Sequence, residues 1–185
     1  KHNANINYNG PEGDHNPLIL SIKNNEDEIV DLLLDNKFDV NHYDRYLETP
    51  LHHALKTPNP SPITISKLIY YGNLNIKNIH GETPLHILCK KNDIWNYTKF
   101  ISRKNLDIFI EDNNHKRPID YINANHIYKF VDLILNNYYT QIKDENIKMT
   151  NCRKNIKSKQ CKEEFKKYIF NTKRSIPEDN DKIII

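Results

Sequence analysis

The sequence predicts an all-α fold, a solenoid of helix-turn-helix units joined by hairpin loops and closed by a short helical cap at its C-terminal end. Three observations predict it. Pro17, Pro50, Pro84 and Pro118 recur at spacings of 33, 34 and 34 residues. Each proline opens a short apolar pattern and is followed by a second apolar run spaced i, i+3, i+4, the inner stripe of a second helix. Finally, only 37% of the residues are hydrophobic, below the share that supports a thick globular core, so a thin core shared between stacked layers fits better.

The second and third units read Glu48-Thr49-Pro50-Leu51-His52-His53-Ala54 and Gly81-Glu82-Thr83-Pro84-Leu85-His86-Ile87-Leu88-Cys89, while Asn16-Pro17-Leu18 and Arg117-Pro118-Ile119-Asp120 are degenerate versions. Thr49 and Thr83 are expected to cap the first helices, with proline at the first helical position, where no hydrogen bond is lost. Leu51 and Leu85 point into the stack. His52 and His86 are expected to bond backbone across repeats. The second helices fall on Ile29–Leu34, Ile65–Ile69, Tyr97–Ile101 and Phe130–Leu135. After them, Asn73 and Asn105 occupy a slot suited to a left-handed helix end. Thr57-Pro58-Asn59-Pro60-Ser61-Pro62 lengthens the loop inside the second unit. Trp95, Tyr70 and Tyr71 are assigned to packing at the outer helices.

A Thr-Pro-Leu-His signature at this period resembles the ankyrin repeat, over about three quarters of the chain. The expected domains are 1–10, the end of a truncated preceding repeat carrying Asn3-Ala4-Asn5-Ile6-Asn7, then repeats at 11–43, 44–78 (with the proline-rich insertion), 79–112 and 113–138 (degenerate), and a basic helical cap or linker at 139–185. Residues 139–174 carry eleven basic and four acidic groups, so the net charge of the chain resides in this tail. With Asn-rich degenerate repeats, a Leu-Leu-Leu-Asp-Asn-Lys run at 32–37 and Cys161-Lys162-Glu163-Glu164-Phe165, the chain is similar to the ankyrin-repeat proteins of poxviruses. That resemblance implies a viral protein of the host-cell cytoplasm or nucleus. Its partner would be a host innate-defence factor of the NF-κB, interferon-effector or necroptosis pathways. The target would be blocked, or presented to a Skp/cullin ubiquitin ligase through an F-box that residues 1–185 do not include. Alternatives are a cellular ankyrin scaffold and a basic nucleic-acid binder.

Ankyrin stacks present hairpin tips and first helices to partners. The candidate partner-binding residues are therefore Tyr43, Asp44, Arg45, Tyr46 and Leu47 at the second tip, His53 and Lys56 on the helix that follows, Lys77, Asn78, Ile79 and His80 at the third tip, Lys90 and Lys91, and Asp112, Asn114, His115 and Lys116 at the fourth. Tyr and Arg make the second tip the richest. No catalytic residue, metal ligand or cofactor is expected. His52, His53 and His86 lack a converging ligand set, four glycines leave little for a phosphate cradle, and no nucleophile elbow or His-Glu-x-x-His occurs. Three cysteines without a CxxC pair exclude a disulfide framework, and no apolar run is long enough to cross a membrane.

Overall fold

In the computed structural model, residues 16–93, 106–123, 126–138 and 167 are described. Among them are six α-helices, α1 (Pro17–Lys23), α2 (Asp27–Asp35), α3 (Pro50–Lys56), α4 (Pro62–Tyr71), α5 (Pro84–Lys91) and α6 (Ile127–Tyr138), a 3-10 turn at Pro118–Tyr121, and no strand. The chain divides into two units, Lys1–Ala124 and Asn125–Ile185.

In the first unit, α1 packs on α2 and α3 on α4, while α1, α3, α5 and the 3-10 turn pack in sequence as an inner row with α2 and α4 outside. This is the expected stack of helix pairs. The first helices begin where proline sets them. Thr49 Oγ1 accepts the His52 N–H, Asn16 Oδ1 accepts that of Ile19, and Pro17, Pro50 and Pro84 occupy the first helical turn. Leu18, Leu51, Leu85 and Ile119, each one residue after its proline, are buried between layers. Val30, Ile65 and Leu68 close the layers from the outer row.

Three local features differ from the expectations or sharpen them. Pro62 is not merely loop: it starts α4, with Ser61 as its cap. Ser61 and Thr64 donate their hydroxyls to Asp27 at the start of α2, at 2.8 and 2.7 Å, which ties the inserted loop to the preceding repeat. Asn73 does not take the left-handed conformation; α4 ends at Gly72 in an extended conformation, and the residue at positive φ after an outer helix is Lys37. Asn73 instead links repeats, its N–H donating to Asn41 Oδ1 at 2.7 Å. In the fourth repeat the first helix shrinks to the 3-10 turn, where Asp120 stands in place of the signature histidine and turns back on Arg117 at 2.9 Å.

The second unit contributes α6, with Phe130 and Ile134 buried, and Lys167, which is helical. The expected repeat end at 1–10, Trp95, Asn105, the third outer helix and nearly all of the basic cap at 139–185 lie outside the described residues.

Candidate functional site

The three hairpin tips among the described residues are built on one plan, set by an Asp or Asn six residues before Pro50, Pro84 and Pro118. A short acceptor side chain at the start of a turn can bond the backbone two and four residues on. Asp44 Oδ1 accepts the N–H groups of Tyr46 and Glu48 at 2.9 and 3.0 Å, Asn78 Oδ1 those of His80 and Glu82 at 2.9 and 3.0 Å, and Asp112 Oδ1 those of Asn114 and Lys116 at 2.8 and 3.1 Å. Three residues before each proline the backbone turns left-handed, at Leu47 (φ 55°), Gly81 (φ 73°) and His115 (φ 55°). A Cβ on Gly81 would collide with Asn113 Oδ1 and sit 2.7 Å from the Asn113 amide N, so that tip requires glycine on both grounds. Successive tips are bonded to each other, Ile79 N–H to the Tyr46 carbonyl and Asn113 N–H to that of His80, both at 3.0 Å.

The signature histidines lock the tips to the helices. His52 Nδ1 accepts the Thr49 N–H at 3.1 Å, and Nε2 lies 3.1 Å from the Glu82 carbonyl of the next tip. His86 repeats this with Thr83 at 3.0 Å and the Lys116 carbonyl at 3.0 Å. A backbone N–H only donates and a carbonyl only accepts, so each ring is the neutral tautomer carrying its proton on Nε2. Burial holds the His52 imidazole down at about 4, against an ordinary 6.5, and lowers that of His86 as well.

This architecture divides the sequence-predicted residues into two groups. Asp44, His53, Asn78 and Asp112 are buried and hold the tips together. His53 Nε2 donates to Asp44 Oδ2 at 2.8 Å. Burial works to raise the Asp44 carboxyl, but the hydrogen bonds from Glu48, His53 and Tyr46 prevail and keep it below the ordinary range; burial also lowers His53. The ligand atoms of Asp44, Glu48 and His53 lie within 4.8 Å of one another, a cluster not apparent in the sequence. Lys56 pairs with Glu48 there, and Tyr121 donates its hydroxyl to Asp112 at the equivalent place in the fourth repeat, so the cluster serves tip architecture. Lys90 likewise pairs with Glu82 and stands 4.2 Å over the Tyr121 ring, with Lys116 at 5.3 Å. Lys91 reaches back to the Leu55 carbonyl at 2.6 Å.

The other group faces outward. Tyr43, Tyr46 and Leu47 are 52%, 46% and 40% exposed, Arg45 is exposed beside them, and its guanidinium stands 5.0 Å from the Tyr46 ring centroid. Lys77, Ile79, His80, Asn114, His115 and Lys116 continue the exposed edge along the next two tips. His115 Nδ1 lies 3.6 Å from Glu111. Among the described residues no helix is long and apolar enough to cross a membrane.

A stack of helix pairs with bonded tips defines a repeat scaffold that binds through an extended surface. The family model for ankyrin repeats, in three copies, matches residues 1–63. Similar proteins include an ankyrin repeat protein of Acanthamoeba polyphaga mimivirus, 31% identical over 64% of this chain and 17% of its own length. An ankyrin repeat protein of Fowlpox virus (strain NVSL) is 31% identical over 64% of this chain and 36% of its own. Human ankyrin repeat and SOCS box protein 6 is 30% identical over 51% of this chain and 23% of its own. The stack has the architecture of ankyrin repeats, and the chain resembles ankyrin repeat proteins of a poxvirus and a mimivirus. It spans about a sixth to a third of the length of these relatives.

Proposed function

We propose that this chain captures a host innate-defence protein on its hairpin-tip edge, with Tyr43, Arg45, Tyr46 and Leu47 at the centre of the contact and the exposed residues of the next two tips extending it. The capture blocks the target or presents it to a Skp/cullin ubiquitin ligase. The similarity to viral ankyrin proteins supports a host target, and a relative named for its SOCS box accompanies the ligase reading.

One observation carries the assignment of the surface. Leu47 occupies the left-handed slot that Gly81 fills one repeat later, and projects an apolar side chain, 40% exposed, beside Tyr43 and Tyr46. Backbone in this region disfavours branched side chains. A strained apolar residue held out at a tip, among an Arg and two Tyr, is a contact residue rather than a folding residue. Affinity purification of the full-length protein from infected mammalian cells, followed by binding assays with the dominant partner, tests this. Tyr46→Ala is expected to weaken the complex at least tenfold without lowering the melting temperature. Unchanged affinity would contradict the assignment. Co-purification of Skp and cullin subunits separates presentation from blocking.

A further inference from the structure

The second repeat brings together a set of donor atoms that the next two repeats lack. Counted from each proline, the positions of Asp44, Glu48 and His53 are filled by Asn78, Glu82 and Ile87 in the third repeat and by Asp112, Lys116 and Tyr121 in the fourth. All three tips close on the same amide bonds to their first residue. The tip plan therefore requires neither a carboxylate at that position nor an imidazole nine residues later. Of the three repeats, the second alone combines two carboxylates with an imidazole, the mixed oxygen and nitrogen set that suits zinc and related divalent ions.

The donor atoms converge. His53 Nε2 lies 2.8 Å from Asp44 Oδ2 and 3.7 Å from Glu48 Oε2, and the ligand atoms of the three residues all lie within 4.8 Å of one another. Zinc held tetrahedrally at about 2.0 to 2.1 Å from each donor sets the donors roughly 3.3 to 3.4 Å apart, so an ion enters by small rotations of the side-chain ends. Asp44 is aimed for this role, because its Oδ1 stays on the Tyr46 and Glu48 amides and fixes the direction of Oδ2, as outer bonds orient ligand carboxylates generally. Glu48 has a coordination left open. Lys56 and Asn78 both bond its Oε1, and Oε2, on a residue only 7% exposed, is left facing the His53 ring at 3.7 Å, beyond hydrogen-bond reach. His53 ligates through Nε2 as the tautomer protonated on Nδ1, an atom bonded to no described residue. The competitor is Lys56, whose side chain, 41% exposed, pairs with Glu48; a divalent ion entering the cluster takes over the charge that this ammonium supplies.

We propose that Asp44, Glu48 and His53, beyond closing the second tip, form a site for a divalent transition-metal ion of the zinc type, with water as the fourth ligand, independently of whatever the tips hold. The probe is Co(II), whose visible absorption is intense only in tetrahedral surroundings, titrated into the full chain after treatment with a chelator and then displaced with Zn(II). The cobalt band is expected to saturate and to be bleached by zinc. Glu48→Gln and His53→Gln each lower the affinity about tenfold or more, with melting curves of the metal-free variants showing that the fold persists. Lys56→Gln does the opposite and tightens binding about tenfold, because it removes a positive charge beside the incoming cation; a gain of affinity cannot arise from damage to the fold. Absence of a tetrahedral cobalt band overturns the proposal. A band insensitive to both Glu48→Gln and His53→Gln belongs to exposed histidines such as His80 and His115 and overturns it too, as does Lys56→Gln binding no tighter than the parent.

Discussion

Leu47 combines left-handed backbone with an exposed apolar side chain at the second tip. Its φ of 55° costs a side chain with a Cβ about 1 kcal/mol, partly offset because glycine loses more entropy on folding. Leu47→Gly is therefore expected to stabilise the fold, by up to about 1 kcal/mol in thermal or urea unfolding, while weakening partner binding. Destabilisation would show that Leu47 is needed for packing instead. His52 makes the pH prediction. Its folded value of about 4 lies below the ordinary 6.5, so the neutral ring is favoured by folding. That stability is fully present above pH 6.5 and is lost as pH falls towards 4, to a maximum of about 3 kcal/mol. His52→Gln should flatten the loss in urea titrations between those values. The structural role of this histidine was legible, since a polar residue repeated at a core position needs a backbone partner. Asp44, Asn78 and Asp112 read differently: their tip positions suggested contact residues, but side chains that cap their own turn are buried by it. The clue was there, an Asp or Asn six residues before three prolines.

At the scale of helices, Asp27 joins two of them. It accepts both the Ser61 and Thr64 hydroxyls, so the proline-rich loop ends where α2 begins. Asp27→Ala is expected to cost about 1 to 2 kcal/mol and to speed amide exchange in the first turn of α4; unaltered stability and exchange would mean the hydroxyls find other partners. Helix existence followed from the apolar spacing and the Thr-Pro starts. The helix ends followed less well. The left-handed turn expected at Asn73 depends on how the outer helix meets the next loop, and Gly72 ends α4 in extended backbone, freeing the Asn73 amide for Asn41. At the 3-10 turn Pro118–Tyr121, Asp120 stands where the second and third repeats carry histidine, and it closes on Arg117.

Over the whole described stack, layers are coupled by apolar contact and by a few bonds that recur once per repeat, His52 to Glu82 and His86 to Lys116. Cutting the second with His86→Ala should lower stability by about 2 kcal/mol and increase hydrogen exchange at Asn114 and Lys116 before other tips; uniform loss of protection would indicate that the stack opens as one body. The repeat period made this architecture visible from sequence. The exposure of Ile29, Leu32, Ile63, Tyr70 and Tyr71 on the outer helices was not visible, because the spacing of those helices reads equally well as core, and only the packing of the layers decides which stripe meets a neighbour. The most direct test of the central claim, that the second tip grips a partner protein, is photocrosslinking from a benzoylphenylalanine placed at position 46, with position 59 in the exposed proline-rich loop as control. A single dominant partner adduct from 46, absent from 59, is the predicted result. No adduct from 46, or the same adducts from both positions, would contradict it.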